Sequence, residues 1–136
     1  MTLLRLKDVS RRFGGVVAVN SVGFAIEPSE IVGLMGANGA GKTTLFSLIA
    51  GNLRPSAGEI LFDGRRIDRL RPDQISSLGV ARTFQIVRPF AGLTVLENVT
   101  ISALFGSSRT KSMTRANADA KEVLEEVGLA DRSGDY

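Results

Sequence analysis

The run Gly36-Ala37-Asn38-Gly39-Ala40-Gly41-Lys42-Thr43 constrains this chain more than any other stretch. It fits G-x-x-x-x-G-K-[ST], a loop whose backbone amides cradle phosphate groups. Its surroundings suit that reading. Residues 30–35 form a short apolar run that reads as a buried strand entering the loop. Residues 42–50 carry apolar side chains at 45, 46, 48 and 49, and predict a mostly buried helix that stops at Gly51. Strand, glycine loop and helix are the elements a P-loop needs. The plain alternative is a glycine-rich turn, but the Lys42-Thr43 pair in this context goes beyond what a turn requires.

The residue types state the chemistry. Gly36, Gly39 and Gly41 allow backbone conformations that a Cβ would penalise. Together with Ala37, Asn38, Ala40 and Thr44 they turn N–H groups toward one centre, at the positive end of the following helix. Lys42 supplies a point charge for β- and γ-phosphates, and the Thr43 hydroxyl supplies a ligand for Mg²⁺. ATP and Mg²⁺ are the expected ligands.

The 136 residues suggest one globular domain with 43% hydrophobic content. No window of 18 apolar residues occurs, and the first residues lack the apolar stretch of a signal peptide. There is no cysteine and no histidine, which excludes disulfides, thiolate metal sites and histidine catalysis within these residues. The net charge of +3 comes from scattered arginines without interleaved aromatics, so a solvated surface is expected and nucleic acid is not.

Along the chain, an edge-like strand is expected to about Val9, with further strands at 16–19 and 22–26. Another is expected at 58–62, turning at Asp63-Gly64, with Ile67 on the return. Residues 72–78 predict a short helix and 80–84 a strand. After Pro89 a helix begins near 93–99, where Thr94 and Glu97 make a capping box. Residues 105–114 read as a linker. A last helix, 116–127, carries Ala120, Val123, Leu124 and Val127 on one face and ends at Gly128.

Four segments in order carry a resemblance. They are Val9 to Gly15, Asn38 to Leu45, Arg82-Thr83-Phe84-Gln85, and Leu93 to Val99. Together they resemble the ATP-binding subunit of an ABC transporter, and the wording around 81–85 and 94–99 is most similar to the branched-chain amino-acid uptake branch. The resemblance implies an α/β P-loop NTPase of the ABC type. An antiparallel β-subdomain and P-loop core would occupy 1–88, and the start of a helical subdomain 89–136. It implies that Phe13 stacks on the adenine ring, where most members carry Tyr. A core aromatic is the plain alternative. It implies that Gln85 ligates Mg²⁺ and the attacking water. It also implies that residues of about 88–103 meet a membrane permease, at the inner face of the cell membrane. For Val87, Phe90 and Leu93 a local core is the competing reading.

The family further requires a signature loop, a Walker B carboxylate pair, a D-loop and a switch histidine, none of which these residues contain. The expectation is therefore an N-terminal fragment that binds ATP without hydrolysing it alone. It would lack the head-to-tail partner subunit of the parent protein and would self-associate through uncovered sheet edges. A DNA-maintenance ATPase and a non-catalytic nucleotide-binding remnant are the competing readings.

Overall fold

A computed structural model describes residues 2–84, 86–106 and 112–136. The chain forms two compact units, residues 1–75 and 76–136.

The first unit is built on an antiparallel sheet of β1 (Leu4–Phe13), β2 (Val16–Ile26), β3 (Ala57–Phe62) and β4 (Arg65–Arg66), in the order β2-β1-β3-β4. β1 is thus interior, not the edge strand expected, and it runs on to Phe13. Residues 16–26 form one strand rather than two. Its irregularity is a bulge: Asp8 and Ser21 both take positive φ (48° and 47°), and the pairing with β1 shifts between Leu6 and Val9. Side chains stitch the bulge, because Ser21 N–H donates to Ser10 Oγ (2.8 Å) and Ser21 Oγ to Asp8 (3.1 Å). The turn between β3 and β4 has the positive φ values of a type I′ hairpin at Asp63 (46°) and Gly64 (72°), as its residues predict. Ile67 follows on the return, buried, with its N–H on the Ile60 carbonyl (2.8 Å).

One face of the sheet is apolar. Leu6, Val9, Val19 and Ile60 are buried, as are Leu45 and Leu48 of α1 (Lys42–Ile49) and Ile75 of α2 (Pro72–Ser76). The opposite side carries a ladder of charges. Lys7 bonds Glu59 (2.7 Å), Glu59 approaches Arg66 (3.4 Å), and Arg66 bonds Asp68 (2.9 Å).

Two expected strands are absent from the described fold. Residues 30–35 have no ladder partner, and Ile31 and Met35 are 99% and 93% exposed. The apolar run is strand-like in composition, but a strand exists only where a neighbour accepts its backbone bonds. Residues 80–84 are likewise irregular, with Phe84 exposed.

In the second unit, α3 (Val95–Phe105) and α4 (Met113–Glu126) pack together. Thr94 and Glu97 form the complete capping box: Glu97 N–H donates to Thr94 Oγ1 (3.2 Å), and Thr94 N–H to Glu97 (2.7 Å). The chain end docks on the same turn, where Val95 and Leu96 N–H groups donate to the Asp135 and Ser133 carbonyls (2.8 and 3.0 Å). α4 buries Ala116, Ala120 and Leu124, one stripe at four-residue spacing. Val123 and Val127, expected on that face, are exposed. Small residues at 116 and 120 draw the stripe toward the helix front. The linker expected at 105–114 is shorter at both ends, and its centre, 107–111, lies outside the described residues.

Candidate functional site

The site is built from the glycine loop and the helix it opens. α1 starts at Lys42 with Gly41 as its N-cap, held at φ 89° and ψ 5°. No side chain caps this end, so the first-turn amides of Lys42, Thr43 and Thr44 are left for an external acceptor. The first helical bond runs from Leu45 N–H to the Gly41 carbonyl (2.9 Å). One residue before Gly41, Ala40 N–H closes a turn on the Ala37 carbonyl (3.2 Å).

The sheet sets the loop's position. A Cβ on Gly41 would stand 2.1 Å from the Ala18 carbonyl oxygen and 3.5 Å from the Val19 side chain, both on β2. Val19 is buried, so the loop's end is clamped against the apolar face through a residue with no side chain. The front of the loop is less confined. Gly36 faces Ala40, whose Cβ would be 3.3 Å from a Cβ on Gly36, and residues 36–40 are all exposed.

Lys42 is half-buried and turned back over the loop. Its Nζ donates to the carbonyl oxygens of Gly36 and Ala37, the latter at 2.8 Å. The front of the loop is thereby tied to the side chain of the residue that opens α1. Thr43 is exposed, and its carbonyl accepts from Ser47 Oγ (2.8 Å). A polyanion fits such a cradle: uncapped amides, a mobile-stemmed cation and an exposed hydroxyl converge on one helix end.

Phe13 ends β1 at the Gly14-Gly15 hairpin, where it pairs with Val16. Phe13 is 44% exposed and is not among the buried residues of the described core. It shares the β1–β2 hairpin with Ala18, the residue that clamps Gly41. A neighbour missed by sequence reasoning lies over the ring: the Arg11 guanidinium carbon is 4.6 Å from its centroid. The signal was available, since Arg11 and Phe13 are two apart on one strand and side chains at that spacing share a face. Gln85 lies outside the described residues. In the second unit Val87 and Phe90 are exposed and Leu93 is partly so, which argues against a local core for the first two.

Comparison with known proteins bears on the family and the fold. The family model described as ABC transporter matches residues 19–135. The high-affinity branched-chain amino acid transport ATP-binding protein LivG of Escherichia coli (strain K12) is 40% identical over 143 residues, covering 96% of this chain and 56% of LivG. The chain thus spans about half the length of the curated relatives it matches. A nucleotide-free ATP-binding cassette from an ABC transporter superposes with TM-score 0.84 at 26% identity, covering 99% of this chain and 57% of that one. The dimeric post-hydrolysis state of the ATP-binding cassette MJ0796, bound to ADP and Pi, superposes with TM-score 0.79 at 26% identity, covering 98% and 61%. Among the described residues no helix is long and apolar enough to cross a membrane. With the P-loop geometry, the hairpin that clamps it and the family match over most of its length, the chain belongs to the ABC transporter family and has the α/β P-loop fold of its ATP-binding cassettes.

Proposed function

We propose that this chain is the nucleotide-binding part of an ABC importer's ATP-binding subunit, and that the solute is a branched-chain amino acid. The observation that carries the nucleotide reading is the uncapped α1 terminus with Lys42 folded over it. Triphosphate oxygens would replace the Gly36 and Ala37 carbonyls as acceptors for Lys42 Nζ, and would take the amides of residues 39–44. The exchange favours phosphate because its charge exceeds a carbonyl dipole's. Phe13, exposed at the hairpin, would stack on the adenine.

Mg²⁺, when bound, draws charge from the phosphoryl oxygens undergoing transfer. The Thr43 hydroxyl would hold it, with Gln85 and the phosphates. Among the described residues no cluster of three acidic or other metal-binding side chains occurs, so the ion would arrive with the nucleotide.

The solute assignment rests on the likeness to LivG. The transport reading over a DNA-maintenance one is supported by α4, a helix of 14 residues rather than a long coiled coil. Exposed Val87 and Phe90 support docking of a permease near 88–103, on the cytoplasmic side of the membrane. A second cassette in head-to-tail contact would complete the site in the whole protein. The 136 residues tested alone would bind ATP and not turn it over, because the family's carboxylate pair and signature loop are not among them.

Titration of the chain with a fluorescent ATP analogue tests the reading. Saturable binding that Lys42→Ala weakens at least tenfold is expected. Superimposable curves for the two proteins would refute it. Sustained phosphate release that Lys42→Ala abolishes would refute the second claim.

A further inference from the structure

One face of the Phe13 ring is already taken. The Arg11 guanidinium lies 4.6 Å from the ring centroid. That group is fixed rather than free, since its Nη1 donates to the Arg54 carbonyl (2.8 Å). Its Nε is buried and has no hydrogen-bond partner. A buried donor without an acceptor is costly, so the Arg54 bond and the ring contact together have to offset it. The backbone around it is braced: Ser56 N–H donates to the Ser10 carbonyl (2.7 Å), and Arg12 N–H to Ser56 Oγ (3.1 Å). The segment 54–56 therefore holds the end of β1, and Arg11 is locked between that segment and the ring.

We infer that Arg11 is a positioning residue for the nucleobase, acting through Phe13. This deepens the nucleotide-site reading and rests on it. A guanidinium over one face of an aromatic ring is attracted by the ring's negative quadrupole and draws density toward itself. The opposite face becomes less negative, which lowers its repulsion against the π-cloud of a stacked purine. The same contact fixes the ring before the base arrives, so less side-chain freedom is lost on binding. Phe13 lacks a hydroxyl that could orient it by hydrogen bonding. The cation takes that orienting role.

The test is a cycle of variants in the 136-residue chain. Arg11→Gln removes the charge and keeps an amide donor for the Arg54 carbonyl; Arg11→Lys keeps the charge. Binding is read with a fluorescent ATP analogue, and competition with ATP and with inorganic tripolyphosphate separates the base from the phosphates. Arg11→Gln is expected to weaken ATP about two- to fivefold, the size of an exposed cation–π contact. Arg11→Lys should recover most of that loss. Tripolyphosphate should compete equally against both variants and the unaltered chain. In a Phe13→Ala background, Arg11→Gln should have no further effect.

An equal loss for tripolyphosphate, a full loss in the Phe13→Ala background, or no loss at all would each overturn the inference. If Arg11→Gln does not fold, Arg11→Met takes its place in the same cycle, with the same expected and overturning outcomes. Failure of the underlying reading looks different. There, Lys42→Ala leaves ATP binding unchanged, whatever the Arg11 variants do.

Discussion

The carbonyl oxygen of Ala18 lies 2.1 Å from the point where a Cβ on Gly41 would stand. No side chain of any size fits between β2 and the start of α1. Gly41 also sits at φ 89°, a conformation other residues rarely take. Steric and torsional demands coincide at one residue, so Gly41→Ala should displace the loop from the sheet. We expect a loss of about 2–4 kcal/mol, adding strain at positive φ to a backbone clash. Chemical denaturation measures it. Gly39→Ala, at positive φ with nothing within 4 Å, should cost less. Equal losses would show that torsion alone matters.

Asp68 should govern stability in acid. Its carboxylate is buried beside the half-exposed Arg66, and accepts from Ile60 N–H (3.1 Å) and from Arg66 Nε (2.9 Å). Burial pushes its pKa up, but the bonds from Arg66 and the Ile60 N–H outweigh that and hold it below the ordinary aspartate value. A lowered folded pKa means the contribution is present above the unfolded pKa, near 3.9, and is lost as pH falls through the folded value. Thermal melts from pH 6 to pH 2 should therefore show a steep acid limb that Asp68→Asn flattens. Asp68→Ala, which leaves Ile60 N–H without its acceptor, should cost about 1–3 kcal/mol at neutral pH. An unchanged acid limb in Asp68→Asn would rule this out.

Thr94 closes the front of α3 with Glu97, and the Glu97 carboxyl is held below its ordinary pKa by the Thr94 backbone N–H and then by the Thr94 hydroxyl. Thr94→Ala should destabilise the second unit by about 1 kcal/mol, the usual cost of an N-cap. Amide exchange should rise over residues 95–98 and stay unchanged in β1 and β3. A uniform rise in both units would mean that they unfold together.

Exposed Ile31 and Met35 lie on a backbone run without ladder partners. Unpaired N–H and C=O groups beside apolar side chains invite pairing with another copy. Light scattering at tens of micromolar should detect oligomers, and Ile31→Lys with Met35→Lys should shift them toward monomer. A monomeric unaltered chain at that concentration would contradict this.

What was legible in the sequence depended on how far each signal reaches. The capping box, the Asp63-Gly64 turn and the start of α1 were read correctly because each is decided within a few residues. Residues 30–35 misled for the opposite reason. Valine, leucine and isoleucine state a preference for a sheet, but pairing depends on a partner distant in sequence. The bulge at Asp8 and Ser21 was invisible because the compensating bonds are cross-strand. The phosphate loop was legible by residue type, yet its clamp on Ala18 was not, since that contact joins residues 23 positions apart. Arg11 was overlooked because a surface arginine normally reads as a solubilising charge.

The two ends of the phosphate loop are unequally moored. Behind Gly41 stand β2 and the first bond of α1; ahead of Gly36 runs a stretch with no ladder at all. A bound triphosphate would then serve as a splint for the forward half, tying residues 36–39 to a helix end that is already fixed. Ordering that half draws on the binding free energy itself. Nucleotide should accordingly slow amide exchange ahead of Gly41 far more than behind it, and any neighbouring strand that supplied a ladder for 31–35 would tighten ATP binding without touching the nucleotide.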